Sequence, residues 1–160
     1  MAELNATISS ELVHHFEDVA AKLHKWTEPL SDEQFWRNPY GYGNSAGHLV
    51  LHLTGNLSYY IGAQIAHTGY VRNRDSEFTD TAHAKKAEVL AAFDRTIAMV
   101  TDTIRKQSPE DWSLPYSAER STDTNRFGIM LHCAAHADHH LGQIIYLAKE
   151  LTGQARSHGA

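Results

Sequence analysis

Histidines at helical spacing are the residues of this sequence best suited to chemistry. The chain has twelve histidines among its 160 residues, and four of them fall between His132 and His140. His132, His136 and His140 follow one another at intervals of four, so an α-helix would place them along one face. Two imidazoles one turn apart can bind the same metal ion, as in the H-x-x-x-H pattern of helical zinc sites. Such pairs are also common on solvent-exposed helix surfaces, so this segment alone leaves metal binding open.

A second pair, His48 and His52, lies in the apolar segment SAGHLVLHLTGNL. Burying an imidazole without a partner costs about 1–3 kcal/mol, so a histidine in a helical core needs a hydrogen bond or a ligand. A metal ion shared with the C-terminal histidines would be one such partner, and a backbone carbonyl or a carboxylate would be another. The spacing therefore does not select which histidines are ligands.

Four segments have the period of an amphipathic helix, and they would have to position these histidines. Proline and glycine punctuate the chain between them, and Ser31 with Gln34 resembles a capping box that starts a short turn through Phe35 and Trp36. The sequence predicts one domain over residues 1–160, an all-α four-helix bundle with long loops and this short extra helix. The predicted long helices cover residues 4–28, 45–67, 81–107 and 125–151.

Two glycines of the second predicted helix, Gly55 and Gly62, lie near the face that carries His48 and His52. Glycine inside a helix costs about 1 kcal/mol relative to alanine, so we expect close approach of another helix on this face. A dimer interface would explain the two glycines equally well.

Composition excludes several classes of protein. The net charge of −5 gives no basic surface for nucleic acid or for an anionic membrane. No apolar run approaches the roughly 20 residues that a membrane-spanning helix needs, and the N-terminus lacks the pattern of a signal peptide. Cys133 is the only cysteine, so we expect a reducing, cytoplasmic location and a small core residue at this position.

Three pieces of the sequence together resemble one family. HLTGNL (52–57), the RNRDSEF loop (72–78) and HADHHLGQIIYL (136–147) are similar to the DinB/YfiT-like superfamily of four-helix bundles. The resemblance implies three metal ligands: His52, His136 and His140. His48 and His132 lie one turn before these positions and would be the ligands if the register were wrong by one turn. Leu141 stands where many relatives have an arginine, which argues against a function that needs that arginine.

The resemblance also implies a function. We expect a metal-dependent enzyme that acts on a small-molecule substrate, as a thiol S-transferase or a hydrolase, with the catalytic residues unassigned. The metal would be divalent, zinc or nickel first and iron or copper next, because imidazole suits all four. A low-molecular-weight thiol is the implied organic cofactor, and a homodimer is the expected assembly, supported by Trp26, Trp36 and Trp112, which one small core would not absorb. The alternatives are a non-catalytic metal-binding stress-response protein and a helical interaction module with incidental histidines.

Residues around the ligands carry further expectations. Gln143 and Asn56 lie one turn beyond His140 and His52, where their side chains would fix the orientation of the imidazole rings. One of His14 and His15 could reach the open side of the metal as an acid or base. The 72–78 loop, which mixes both charges, is expected to be a solvated connection tied by local salt bridges, and the family resemblance suggests a structural role for it.

Overall fold

Four long helices form the body of the protein. The structure is a computed structural model that describes residues 2–119 and 124–154, with only the backbone of Ala2. Helix accounts for 69% of the described residues, which confirms the all-α four-helix bundle. The long helices are α1 (Ala2–Thr27), α3 (Ala46–Leu57), α5 (Lys86–Arg105) and α6 (Arg126–Leu151), and the short ones are α2 (Asp32–Trp36) and α4 (Ser76–Thr79).

The bundle is held together by the apolar faces of its helices. α1 packs against α5 and α6, and α3 packs against the same two helices from the other side. Burying a large apolar side chain contributes about 1.5–3 kcal/mol, so these faces supply most of the stability. The side chains that are fully buried between the helices include Phe16, Phe93, Leu53, Ile61, Ile104, Met130 and Ile144.

Side-chain caps set the starts of three helices. Ser31 Oγ accepts from the Gln34 amide at 3.1 Å, and Gln34 Oε1 accepts from the Ser31 amide at 2.9 Å, so the predicted capping box of α2 is confirmed. Ser45 Oγ accepts from the backbone of the third residue after it at 3.2 Å and starts α3. Asn125 Oδ1 does the same for α6 at 2.8 Å. Gly153, with a φ of +75°, ends α6 as predicted.

The second and third predicted helices are shorter than expected. After Leu57 the helix continues as a π-helical turn over Ser58–Ala63 and does not reach residue 67. α5 begins at Lys86 rather than at residue 81. The Lys86 ammonium donates to the carbonyls of Thr27 and Glu28 at 3.1 Å each, and to that of Leu30. These three bonds anchor the start of α5 to the end of α1 and the residues just after it. The spacing of apolar residues in the sequence does not reveal such bonds.

Two connections that were predicted as loops have local structure. α4 lies within the 70–79 segment. The connection after α5 has a 3₁₀ turn over Asp111–Ser113 and a two-stranded antiparallel ladder, in which Pro115 pairs with Asn125 and Tyr116 with Thr124. No helix in the described part of the chain is both long and apolar enough to cross a membrane.

Candidate metal centre

Three histidines converge between α3 and α6. His52, His136 and His140 each offer a ring nitrogen, and these nitrogens all lie within 4.8 Å of one another. The Nε2 atoms of His52 and His136 are 3.0 Å apart, and the ring centroids of His136 and His140 are 4.4 Å apart. The structure thus brings together the set of histidines that the resemblance implied.

The histidines one turn earlier lie elsewhere. His48 Nδ1 contacts Ser45 Oγ at 2.8 Å, and its Nε2 donates to the carbonyl of Asp80 at 3.0 Å. This is the hydrogen-bonded alternative for a core histidine, and here it ties α3 to the connection before α5. His132 is exposed and stacks on His136 with a centroid distance of 6.1 Å. Neither residue belongs to the cluster.

A buried carboxylate contacts the far side of the His52 ring. Glu77 of α4 is only 6% exposed, and its Oε2 lies 2.8 Å from His52 Nδ1. Arg72 donates to both oxygens of the same carboxylate, from Nε at 2.7 Å and from Nη2 at 2.8 Å. Burial opposes ionisation of Glu77, but the hydrogen bonds from His52 and Arg72 outweigh it and lower its pKa. A carboxylate only accepts, so His52 Nδ1 carries the proton and Nε2 presents a lone pair to the cluster.

An amide supports the His140 ring in the same way. Gln143 Oε1 lies 2.7 Å from His140 Nδ1, so Nδ1 donates and Nε2 is left with its lone pair. The expected contact of Gln143 with His140 is confirmed, and its effect on a bound metal stays a prediction. The matching expectation for Asn56 is wrong, because Glu77 takes the position beside His52, and Asn56 Oδ1 is buried with no hydrogen-bond partner among the described residues.

The electrostatics keep the two cluster histidines of α6 neutral. Burial, followed by the proximity of His140 and His52, lowers the pKa of His136 to about 3. Burial also lowers the pKa of His140 to about 4, although the hydrogen bond to Gln143 opposes the shift. Imidazole must be neutral to bind a metal, so His136 and His140 are in the ligand form at neutral pH.

This donor set fits a divalent cation. The Nε2 lone pair of His52 faces Nε2 of His136 at 3.0 Å, and a cation between the rings would satisfy both nitrogens. Three imidazoles on two rigid helices are the ligands that zinc, nickel, copper and iron accept in proteins.

Two other residues that sequence reasoning singled out do not reach the cluster. His15 Nε2 lies 3.4 Å from a carboxylate oxygen of Asp138, and Asp138 projects about 200° around α6 from the ligand face. His14 is exposed, so the interpretation of either one as an acid or base at the metal is wrong. Cys133 is buried as predicted, and burial raises its pKa to about 12, which leaves an unreactive thiol.

The 72–78 loop was predicted to be solvated, and at its most important residues it is not. Glu77 and Arg72 form one of the expected local salt bridges, but it is buried under His52, and this burial was missed because a run of mixed charges is typical of a surface loop. One signal was present in the sequence. Gly55 lies where a Cβ would be 2.1 Å from Glu77 Oε1, so the glycine marked a close approach, although by a carboxylate rather than by another helix.

A groove opens beside Gln143. Its volume is about 310 Å³, and it lies between the start of α3, the end of α6 and the loop before α3. No charged side chain lines it. The lining residues are Tyr40, Tyr42, Gly43, Asn44, Leu49, Gln143, Tyr146 and Leu147.

The fold and the histidine cluster together define a class of helical bundle with a candidate metal centre, and sequence comparison agrees with it. The sequence profile of the DinB superfamily matches residues 15–144, a range that includes all three histidines of the cluster. The chain belongs to the DinB superfamily. No curated protein shows a significant sequence match to the chain.

Solved structures with the same fold include two bacterial proteins. YfiT from Bacillus subtilis, described as a probable metal-dependent hydrolase with an unusual four-helix bundle topology, superposes with a TM-score of 0.72 at 18% identity, covering 90% of this chain and 87% of YfiT. A conserved protein from Enterococcus faecalis superposes with a TM-score of 0.64 at 15% identity, covering 96% of this chain and 98% of that one. At these identities the likeness concerns the fold.

Proposed function

We propose that this protein is a metal-dependent enzyme whose divalent ion is held by His52, His136 and His140. The observation that carries the proposal is the convergence of three ring nitrogens within 4.8 Å, two of them on rings whose Nδ1 atoms contact hydrogen-bond acceptors. Membership of the DinB superfamily and the description of YfiT as a probable metal-dependent hydrolase support the same reading.

The chemistry follows from the ligand set. A divalent ion bound by three imidazoles acts as a Lewis acid and lowers the pKa of water or of a thiol that reaches its remaining coordination position. The reaction class we propose is therefore hydrolysis or thiol transfer to an electrophile. Within the chain, Glu77 and Gln143 hold two of the rings in the ligand tautomer. Cys133 is buried, so the thiol in a transfer reaction would come from a small-molecule cofactor.

The groove beside Gln143 is the place we propose for part of the substrate. Gln143 both lines the groove and contacts His140, so a molecule bound there lies next to the cluster. The uncharged, tyrosine-rich lining favours a small molecule with an uncharged apolar portion.

Reversible metal dependence tests the proposal. Untagged protein would be stripped with a chelator, reloaded separately with zinc or nickel, and assayed against a panel of ester, amide and thiol-acceptor substrates. We expect turnover that disappears on stripping and returns with one equivalent of metal. The matched variant His52→Ala should show none under any loading. Turnover that survives complete removal of the metal would contradict the proposal.

A non-catalytic metal-binding role differs in one measurable property. A catalytic ion keeps a coordination position open, whereas a structural one has all positions filled by the protein. Cobalt-substituted protein would be titrated with acetohydroxamate while the visible absorption spectrum is followed. A saturable spectral change supports the enzyme, and an unchanged spectrum supports a closed, structural site.

A further inference from the structure

The carboxylate of Glu77 is buried between His52 and Arg72, and the three histidines alone do not explain why a charge lies there. Glu77 is a charged residue with 6% exposure in a chain whose other acidic residues lie at or near the surface wherever the structure describes them. Placing a carboxylate in the interior is costly unless every oxygen is paired. The two oxygens of Glu77 receive three hydrogen bonds, two from Arg72 and one from His52.

A glycine in the backbone of α3 leaves room for this carboxylate. A Cβ on Gly55 would lie 2.1 Å from Oε1 of Glu77 and 2.8 Å from its Cδ, both far inside van der Waals contact. Gly55 is in the middle of α3, where glycine disfavours the helix by about 1 kcal/mol relative to alanine. The glycine therefore has a steric reason: it lets the Glu77 carboxylate approach the helix within reach of His52.

We propose that Glu77 is a positioning residue for the metal centre, brought to His52 by the gap at Gly55 and held there by Arg72. The inference rests on the proposed function, because it concerns how tightly the three histidines bind their ion. Glu77 accepts a hydrogen bond from Nδ1–H of His52 and fixes the ring, so that Nε2 faces His136 and His140. Arg72 Nη2 also lies 3.4 Å from His52 Nδ1, but its 2.8 Å bond to Glu77 is the shorter contact.

Metal affinity of two independent variants tests the inference. Glu77→Gln replaces one acceptor oxygen by an NH₂ group, which cannot accept from the Arg72 and His52 donors. Gly55→Ala keeps the charge and displaces the carboxylate. Supporting residues of this kind affect metal affinity about 10- to 100-fold. We expect each variant to weaken zinc binding in a chelator competition by that factor, and the double variant to be no weaker than the worse single one, because both act through one carboxylate.

Two matched controls separate positioning from general damage. Gly142→Ala also places a methyl group in a helix two residues from a ligand, but a Cβ there meets nothing within 4 Å. Asp75→Asn removes a negative charge from the same loop at an exposed position. Both should bind zinc within about twofold of the wild type. Circular dichroism melts of the metal-free proteins establish that each variant is folded, and if Glu77→Gln is not, Gly55→Ala decides alone.

The outcomes distinguish this inference from the proposed function. A wild-type protein that binds no zinc overturns the proposed function and the inference with it. Wild-type binding together with unchanged affinity in folded Gly55→Ala overturns the inference and leaves the three-histidine site standing. Loss of affinity in the test variants with none in the controls supports both.

Discussion

At the scale of single residues, the three histidines of the cluster are not equivalent. His52 is held by a buried carboxylate and His140 by a neutral amide, whereas His136 stacks on the exposed ring of His132. An imidazole that is hydrogen-bonded to an anion is a stronger electron-pair donor to a metal than one that is hydrogen-bonded to a neutral group. We therefore expect His52 to be the strongest ligand in the proposed site, and it is also the most buried of the three.

Alanine substitutions should separate ligands from neighbours. His52→Ala and His140→Ala remove one of three donors each, and we expect both to lose stoichiometric metal in elemental analysis of untagged protein. His139→Ala should retain it, because that side chain is exposed and outside the cluster. Metal retained by the first two variants would show that another set of residues holds the ion.

Acidification should destabilise the protein through His136 and His140. The pKa values of His136 and His140 are about 3 and about 4 in the folded protein, below the ordinary value of 6.5. A histidine with a depressed pKa contributes stability that is full above 6.5 and is lost as the pH falls toward the folded value, because the unfolded chain takes up the proton first. We expect the Tm to fall progressively as the pH drops from about 6.5 toward 4, and more steeply when metal is bound, since protons then compete with the ion.

The control variant for this pH effect is His140→Gln, which removes one of the two histidines whose pKa is lowered. Its Tm should depend less on pH over the same interval. An equal slope in the wild type and the variant would assign the acid sensitivity to other groups.

At the scale of elements, the sequence predicted the helices well and their ends less well. Apolar periodicity found all four long helices because each buries one face, and the caps at Ser31 and Asn125 are visible as residue types. The end of α3 and the start of α5 depend instead on the π-helical turn and on Lys86, which are tertiary features. The choice among the histidines likewise needed the family resemblance, since His48 and His132 lie one turn before His52 and His136 and have the same spacing of four.

The Tyr116 hydroxyl joins the connection after α5 to the π-helical turn. The Gln64 amide donates to the carbonyl of Tyr59, five residues back, and the Ile65 amide donates to that of Ile61. Neither of these two amides donates to the carbonyl of Tyr60, which instead accepts from the Tyr116 hydroxyl at 2.9 Å. Burial raises the pKa of Tyr116, so the hydroxyl remains a donor.

Removing that hydroxyl should therefore be costly. We expect Tyr116→Phe to lower the free energy of unfolding by about 1–3 kcal/mol, the usual effect of deleting one partner of a buried hydrogen bond. Urea denaturation measures it, with Tyr146→Phe as the control because Tyr146 is exposed. Equal losses in both variants would contradict the role of the Tyr116 bond.

At the scale of the whole molecule, the bundle has an apolar core that does not depend on the histidine cluster. Apolar side chains from α1, α2, α3, α5 and α6 are buried in one continuous cluster. A chain of about 150 residues buries about two-thirds of its unfolded surface. The protein should thus differ from a zinc finger, which unfolds without its ion.

Metal removal should lower stability without unfolding the protein. We expect a chelator at pH 7.5 to reduce the Tm while the metal-free protein still melts cooperatively, because an ion that binds only the folded state adds stability by mass action. Thermal melts with and without chelator measure the difference. Identical melts, once removal of the ion is verified, would mean that no stabilising metal occupies the core.

The expected homodimer stays a prediction, but different residues now support it. Trp36 and Trp112 are buried within the single chain, so they no longer argue for a partner. Leu131 and Tyr146 are exposed on α6 instead, and apolar side chains left on a helix face favour association. We expect a dimer in sedimentation at micromolar concentration, which Leu131→Glu dissociates. A monomeric wild type would remove the prediction.

The π-helical turn of α3 has a consequence for insertions and deletions. A π-turn contains one residue more than an α-turn. Between His52 and Glu77 the chain therefore has, within Ser58–Ala63, one residue more than a regular α-helix would need. Deleting one residue from 58–63 would restore α-helical pitch and rotate the following chain by about 100° relative to His52. Arg72 and Glu77 would then leave their places under the ring. Natural variation in chain length should accordingly be concentrated outside this stretch, for example in the exposed loop before α3, while the distance in sequence from His52 to Glu77 stays constant.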